Sequence, residues 1–173
     1  MADGAAGMAF RQELVRLVPR LRRFALSLVG NMPDADDLVQ AACERALTNW
    51  TRFQPGTRMD SWMYRIIQNL WLDGRRRQAV RGESIDPQEI QISDHGKAAS
   101  LLEDRLMLDK VRVAMASLPP GQREVLALIA IEGLSYREVA EALELPIGTV
   151  MSRLSRAREA LLPRLQLPEG RRQ

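Results

Sequence analysis

The chain has 173 residues, 46% apolar and 27% charged, with a formal net charge of +3 and a pI of about 9.6. That profile fits an ordinary globular protein of one domain or two small ones. A single cysteine, Cys43, excludes an internal disulfide. A single histidine, His95, with no clustered Cys or His, gives no metal-ligand spacing. There is no secretory core and no apolar run of membrane-spanning length, so a cytoplasmic chain without cofactor is expected.

The charge is uneven. Residues 1–82 hold 13 Arg and 8 acids, residues 83–104 one Lys and 6 acids, and residues 105–173 11 basic residues and 8 acids. Nearly all cations are Arg, the side chain suited to bidentate phosphate and base contacts. Strand-like alternation is absent and apolar residues fall at helical spacing, which predicts an all-α fold.

A first helix is expected over about 9–29, with Phe10, Leu14, Leu17, Val18, Leu21, Phe24, Ala25 and Leu28 forming an apolar stripe. Pro19 should kink it or split it. Gly30-Asn31 is a stop signal, and Met32-Pro33-Asp34 opens a second helix running to about Trp50. Leu38, Val39, Ala42, Ala46 and Trp50 suit a core, whereas Asp36, Asp37, Gln40 and Glu44 gather on another side. That acidic side is either a plain solvated face or a dock for a basic protein partner. It is not a DNA surface, because like charges repel.

After a Pro55-Gly56 turn, a third helix is expected from about Asp60 to Arg76. Its core face is read as Trp62, Ile66, Ile67 and Leu70, with Met63, Tyr64 and Trp71 less easily buried. Gln68, Asn69 and Asp73 are polar, and Arg75, Arg76 and Arg77 follow. Aromatics mixed with amides and Arg suit unstacked bases, yet a small core needs the same aromatics. Gln78 to about Ser100 reads as a polar, acidic linker. Beyond it, Leu108, Val111, Met115 and Leu118 mark a helix ending at Pro119-Pro120, and Arg123 to Glu132 another, ended by Gly133.

Ser135 to Leu162 reads as two short helices and a tight turn. Ser135 and Glu138 have capping-box spacing. Glu144 to Pro146 break the first helix, and Pro146 suits the first turn of the second. Val150, Leu154, Ala157 and Leu161 form one face of that helix. Thr149, Ser152, Ser155, Arg156 and Glu159 lie opposite, with Arg153 and Arg158 on the flanks. Hydroxyls and guanidinium groups outside an apolar seam suit a helix-turn-helix whose second helix enters the major groove. A generic helical hairpin with a solvated basic face has the same pattern.

Three stretches in order then carry a resemblance. Residues 34–47, DADDLVQAACERAL, resemble region 2.2 of the extracytoplasmic-function (ECF) sigma factors of the sigma-70 family. Residues 53–77, FQPGTRMDSWMYRIIQNLWLDGRRR, resemble regions 2.3 and 2.4. Residues 117–161, from SLPPGQREV to AREAL, resemble region 4. The resemblance implies a region 2 domain over 8–78, a linker over 79–100 and a region 4 domain over 101–165. It implies a promoter-specificity subunit rather than an enzyme. Its partners would be core RNA polymerase (β′ clamp helices and β flap), promoter DNA and an anti-sigma factor.

By the same resemblance, Asp36, Asp37, Leu38, Gln40 and Glu44 would bind the polymerase. Trp62, Tyr64, Arg65, Gln68, Asn69, Asp73, Arg75, Arg76 and Arg77 would act on the −10 element. Arg137, Thr149, Ser152, Arg153, Ser155, Arg156 and Arg158 would act on the −35 element. The acidic linker would thread a basic channel. Met151 departs from the family pattern, since many relatives carry Arg there. The competing readings are an autonomous dimeric helix-turn-helix regulator and a helical interaction module. The first leaves the Trp62–Arg77 helix and the acidic face unexplained, and the second predicts no salt-dependent DNA binding.

Overall fold

The computed structural model describes residues 2–82 and 110–165. The expected linker beyond residue 82, the start of the C-terminal half and His95 lie outside them. The N-terminal half contains α1 (Ala2–Val29), α2 (Met32–Thr48), a 3-10 turn (Trp50–Arg52) and α3 (Met59–Val80). The C-terminal half contains α4 (residues 110–116), α5 (Pro120–Ala130), α6 (Tyr136–Leu143) and α7 (Ile147–Leu165). Among the described residues there is no strand, so the all-α expectation stands.

Local chemistry accounts for the boundaries. Gly30, at φ 88°, turns the chain out of α1, and Asn31 Oδ1 then accepts the Asp34 N–H at 2.9 Å to cap α2. Pro33 occupies the first turn of α2, where no N–H is needed. Gly133, at φ 71°, closes α5. Pro19 neither ends nor divides α1. Pro146 precedes α7 rather than joining its first turn: its carbonyl accepts from Thr149 and Val150, the role of an N-terminal cap. Pro163 stays inside α7, which continues past the expected end.

The largest departure concerns α3. Its buried residues are Met59, Asp60, Met63, Tyr64, Ile67, Gln68 and Trp71, while Trp62, Ile66 and Leu70 are only half-buried. The buried face is thus rotated by about one residue from the expected one. The reason is that α3 packs on two sides, against α1 and α2 and also against α6. Trp62 instead joins Phe10 and Phe53 in an aromatic cluster, with centroid separations of 6.0 and 5.5 Å.

One apolar cluster runs through both halves. Leu21, Phe24 and Leu28 of α1 and Met63 and Ile67 of α3 are continuous with Val125 and Leu128 of α5, Val139 of α6 and Val150 of α7. Each such side chain contributes about 1.5–3 kcal/mol when withdrawn from water. The two halves therefore share a core.

Candidate polymerase and promoter interfaces

The helix-turn-helix is built as its sequence dictates. Ser135 Oγ accepts the Glu138 N–H at 3.3 Å, and Glu138 Oε2 accepts the Ser135 N–H at 2.7 Å, which is the reciprocal capping box. Glu144 ends α6 in the left-handed region at φ 51°, and the Leu145 N–H returns to the Ala140 carbonyl at 2.9 Å. This cap sets the sharp turn into α7. Val150, Leu154, Ala157 and Leu161 are buried. Ser152, Ser155, Arg156 and Arg158 are exposed, as is Arg137 on α6, and Thr149 is half-exposed. Ser152 Oγ donates to the Thr149 carbonyl at 3.1 Å and Ser155 Oγ to Glu159 Oε1 at 2.9 Å, so both hydroxyls are positioned along the outer face.

Arg153 is placed differently. Its guanidinium lies across Gly121 of α5, where a Cβ would come within 2.7 Å of Nη1. Glycine thus lets this flexible side chain bridge α7 and α5. Gly121→Ala is expected to displace the guanidinium toward solvent while adding up to about 1 kcal/mol of helix propensity. A higher Tm with a changed promoter-binding salt slope checks this.

On α2, Asp36, Asp37, Gln40 and Glu44 are all exposed on one side, and Leu38 is half-buried beside them. Asp36 is held by the Arg22 guanidinium through Nε at 2.7 Å and Nη2 at 2.9 Å. Gln40 Nε2 donates to Glu44 Oε1 at 3.0 Å. The acidic face is pre-ordered by these contacts and open to a partner.

The residues expected to act on the −10 element lie in different surroundings. Asn69, Arg76 and Arg77 are exposed. Arg76 pairs with Asp73 at 3.3 Å, and the Arg75 guanidinium sits 5.5 Å from the Trp71 ring centroid. Trp62 lies in the aromatic cluster with Phe10 and Phe53, whereas Tyr64, Arg65 and Gln68 face the C-terminal half. Tyr64 is fully buried and its hydroxyl donates to Glu132 Oε2 at 3.0 Å; burial beside that carboxylate pushes the phenol well above its ordinary pKa. Arg65 donates to the Glu141 and Ala142 carbonyls at 3.0 and 3.3 Å and pairs with Glu144 at 2.6 Å, so it closes the C-terminal end of α6. Gln68 Nε2 donates to Glu124 Oε2 at 2.8 Å inside the protein.

Several residues that join the halves had no such role expected, and the Arg16, Arg20, Arg22 and Arg23 group had been expected to form mostly solvated surface. Arg20 bridges Asp60 at 3.3 Å and Glu132 at 3.1 Å, and Arg23 reaches Glu132 at 3.3 Å. Arg58 holds Asp60 at 2.7 Å and also pairs with Glu138. Burial alone would raise the Asp60 carboxyl, but the Arg58 and Ser61 hydrogen bonds and the Arg20 charge hold it below the usual range. Arg123 donates to the Leu28, Leu118 and Ala116 carbonyls, and its guanidinium also sits 5.5 Å from the Trp71 ring centroid. The signal available in the sequence was the Arg123-Glu124 pair set directly against the apolar run that follows it in α5.

The comparisons with known proteins agree with this geometry. The Sigma-70 region 2 model matches residues 14–81, and the Sigma-70, region 4 model matches residues 108–161. The ECF RNA polymerase sigma factor EcfG of Rhodopseudomonas palustris is 37% identical over 155 residues, covering 88% of this chain and 83% of that protein. The chain belongs to the ECF sigma factors of the sigma-70 family. Among solved structures, the co-crystal structure of the sigma factor RpoE with the anti-sigma factor NepR from Bartonella quintana matches with a TM-score of 0.76 and 31% identity, over 93% of this chain and 99% of that one. The structure of CnrH in complex with the cytosolic domain of CnrY matches at 0.69 and 29%, over 94% of each chain. No helix among the described residues of this sigma factor is long and apolar enough to cross a membrane.

Proposed function

We propose that this sigma factor binds core RNA polymerase through the acidic face of α2, captures the −10 strand with α3 and reads the −35 duplex with α7. The observation that carries the reading is the outer face of α7: Ser152, Ser155 and Arg156 stand exposed on a helix fixed by the capped turn before it. Hydroxyls bond bases or phosphates and Arg takes guanine bidentately. The exposed Asp37 and Glu44 fit a basic partner, and Asn69, Arg76 and Arg77 fit an unstacked strand. The chain performs no covalent chemistry in this role; it supplies contacts that offset the few kcal/mol of unstacking. Similarity to sigma factors seen with NepR and CnrY supports control by an anti-sigma factor.

The test is run-off transcription from a promoter-fragment library by core polymerase with and without this chain. Transcripts sharing a two-part motif support the reading, and their absence overturns it. Two variants check the division of labour. Arg156→Ala is expected to weaken −35-dependent transcription by about 1–3 kcal/mol per lost contact, relaxing specificity at that base pair with polymerase binding unchanged. Glu44→Lys is expected to lower affinity for core by about tenfold with −35 preference unchanged in the residual transcripts. Polymerase pull-down and promoter-library sequencing read the two effects separately.

A further inference from the structure

One flank of α7 carries no cation where the helix begins. Met151, Ser155 and Glu159 follow one another at i, i+4 spacing and form an exposed ridge, on the other side of the outer face from Arg153 and Arg156. Met151 is 53% exposed and stands at the edge of a groove that Tyr136, Leu154 and Leu162 also line. Ser155 Oγ is committed as a donor: Glu159 Oε1 accepts its hydrogen at 2.9 Å, and an ionised carboxylate has no proton to return. What Ser155 turns outward is therefore a pair of acceptor sites.

An apolar tip beside an acceptor matches one kind of major-groove edge. Thymine offers a methyl group, and the adenine paired with it offers the N6 amino hydrogens. A G·C pair has an amino donor on cytosine but no methyl, and its guanine shows acceptors alone.

We propose that Met151 and Ser155 together select an A·T pair in the −35 element, the thioether packing on the thymine methyl and Ser155 accepting from adenine N6. The proposal rests on the −35 reading of α7 and supplies the chemistry of one position within it. The i, i+4 spacing sets the two Cβ atoms about 5–6 Å apart, so both side chains reach the edge of one base pair. Glu159 is a positioning residue, since it keeps the hydroxyl proton away from the base. Arg at position 151, as many relatives carry, takes guanine instead. Met151 thus changes which base is preferred.

The test uses core polymerase with this chain on promoters randomised over the −35 element. Wild type is expected to prefer A·T at one pair where Met151→Ala and Ser155→Ala each lose preference. Thymine at that pair is then replaced by deoxyuridine, which removes only the C5 methyl. Wild type is expected to bind the uracil promoter about fourfold more weakly, as one buried methyl allows. Met151→Ala is expected to bind the two promoters alike, and Ser155→Ala still to distinguish them. Glu159→Ala frees the hydroxyl to donate, so the preference for adenine over guanine is expected to fall. Uracil discrimination retained by Met151→Ala, no pair at which both variants lose preference, or an adenine preference unchanged in Glu159→Ala each overturns the assignment. Wild-type transcripts judge the −35 reading separately: a shared two-part motif with any of those results removes only the Met151–Ser155 assignment, and no shared motif removes both.

Discussion

Glu124→Gln raises the stability of this sigma factor above neutral pH by up to about 3 kcal/mol and flattens its pH dependence. Glu124 is 1% exposed, its Oε1 has no partner, and burial pushes its carboxyl from 4.5 up to about 7, against the Gln68 hydrogen bond and the Arg153 and Arg123 charges. A carboxyl whose folded pKa is raised favours the native state when protonated. Its contribution is complete below about pH 4.5 and is lost as pH rises through about 7. Glutamine is neutral throughout and its carbonyl still accepts from Gln68. Urea unfolding at several pH values checks the expectation: wild type weakens across this window and the variant does not. Parallel curves for the two proteins would remove Glu124 as the source.

Arg123→Ala is expected to cost about 4 kcal/mol. The guanidinium is 5% exposed and closes the carbonyl ends of two helical segments, donating to the Leu28, Ala116 and Leu118 carbonyls. Hydrogen bonds to a charged donor are worth roughly 1.5–3 kcal/mol each, and the orphaned carbonyls add desolvation cost. Burial and the Arg75 charge lower its pKa to about 10, so it remains cationic at neutral pH. Lysine should not restore stability, since a single ammonium lacks the planar fork that reaches several carbonyls. Denaturant midpoints of Arg123→Ala and Arg123→Lys, both far below wild type, are the expected result; full rescue by lysine would show that charge alone matters.

Features specified by short segments were legible in the sequence. The Ser135–Glu138 cap, the Met32-Pro33-Asp34 start of α2 and the apolar seam of α7 each depend on residues within one or two turns, and each formed as expected. The burial of α3 was not legible, because two apolar faces compete along it and the choice is made by helices far away in sequence. The same holds for the Glu132 bridge, whose partner Arg20 lies 112 residues away. No local pattern marks such a pair. The expected DNA contacts divided accordingly: Asn69, Arg76 and Arg77 stayed open, while Tyr64, Arg65 and Gln68 were claimed by the other half.

Trp71, with the Arg75 and Arg123 guanidinium groups each 5.5 Å from its ring centroid and 6% exposed, gives the seam between the halves an intrinsic optical signal. Trp50 and Trp62 are half-buried in the aromatic cluster with Phe10, away from the junction. Indole emission shifts to longer wavelength when water reaches an excited ring, so a difference spectrum between wild type and Trp71→Phe isolates the residue that sees separation of the halves. Stopped-flow mixing with denaturant can then time that separation without an attached dye.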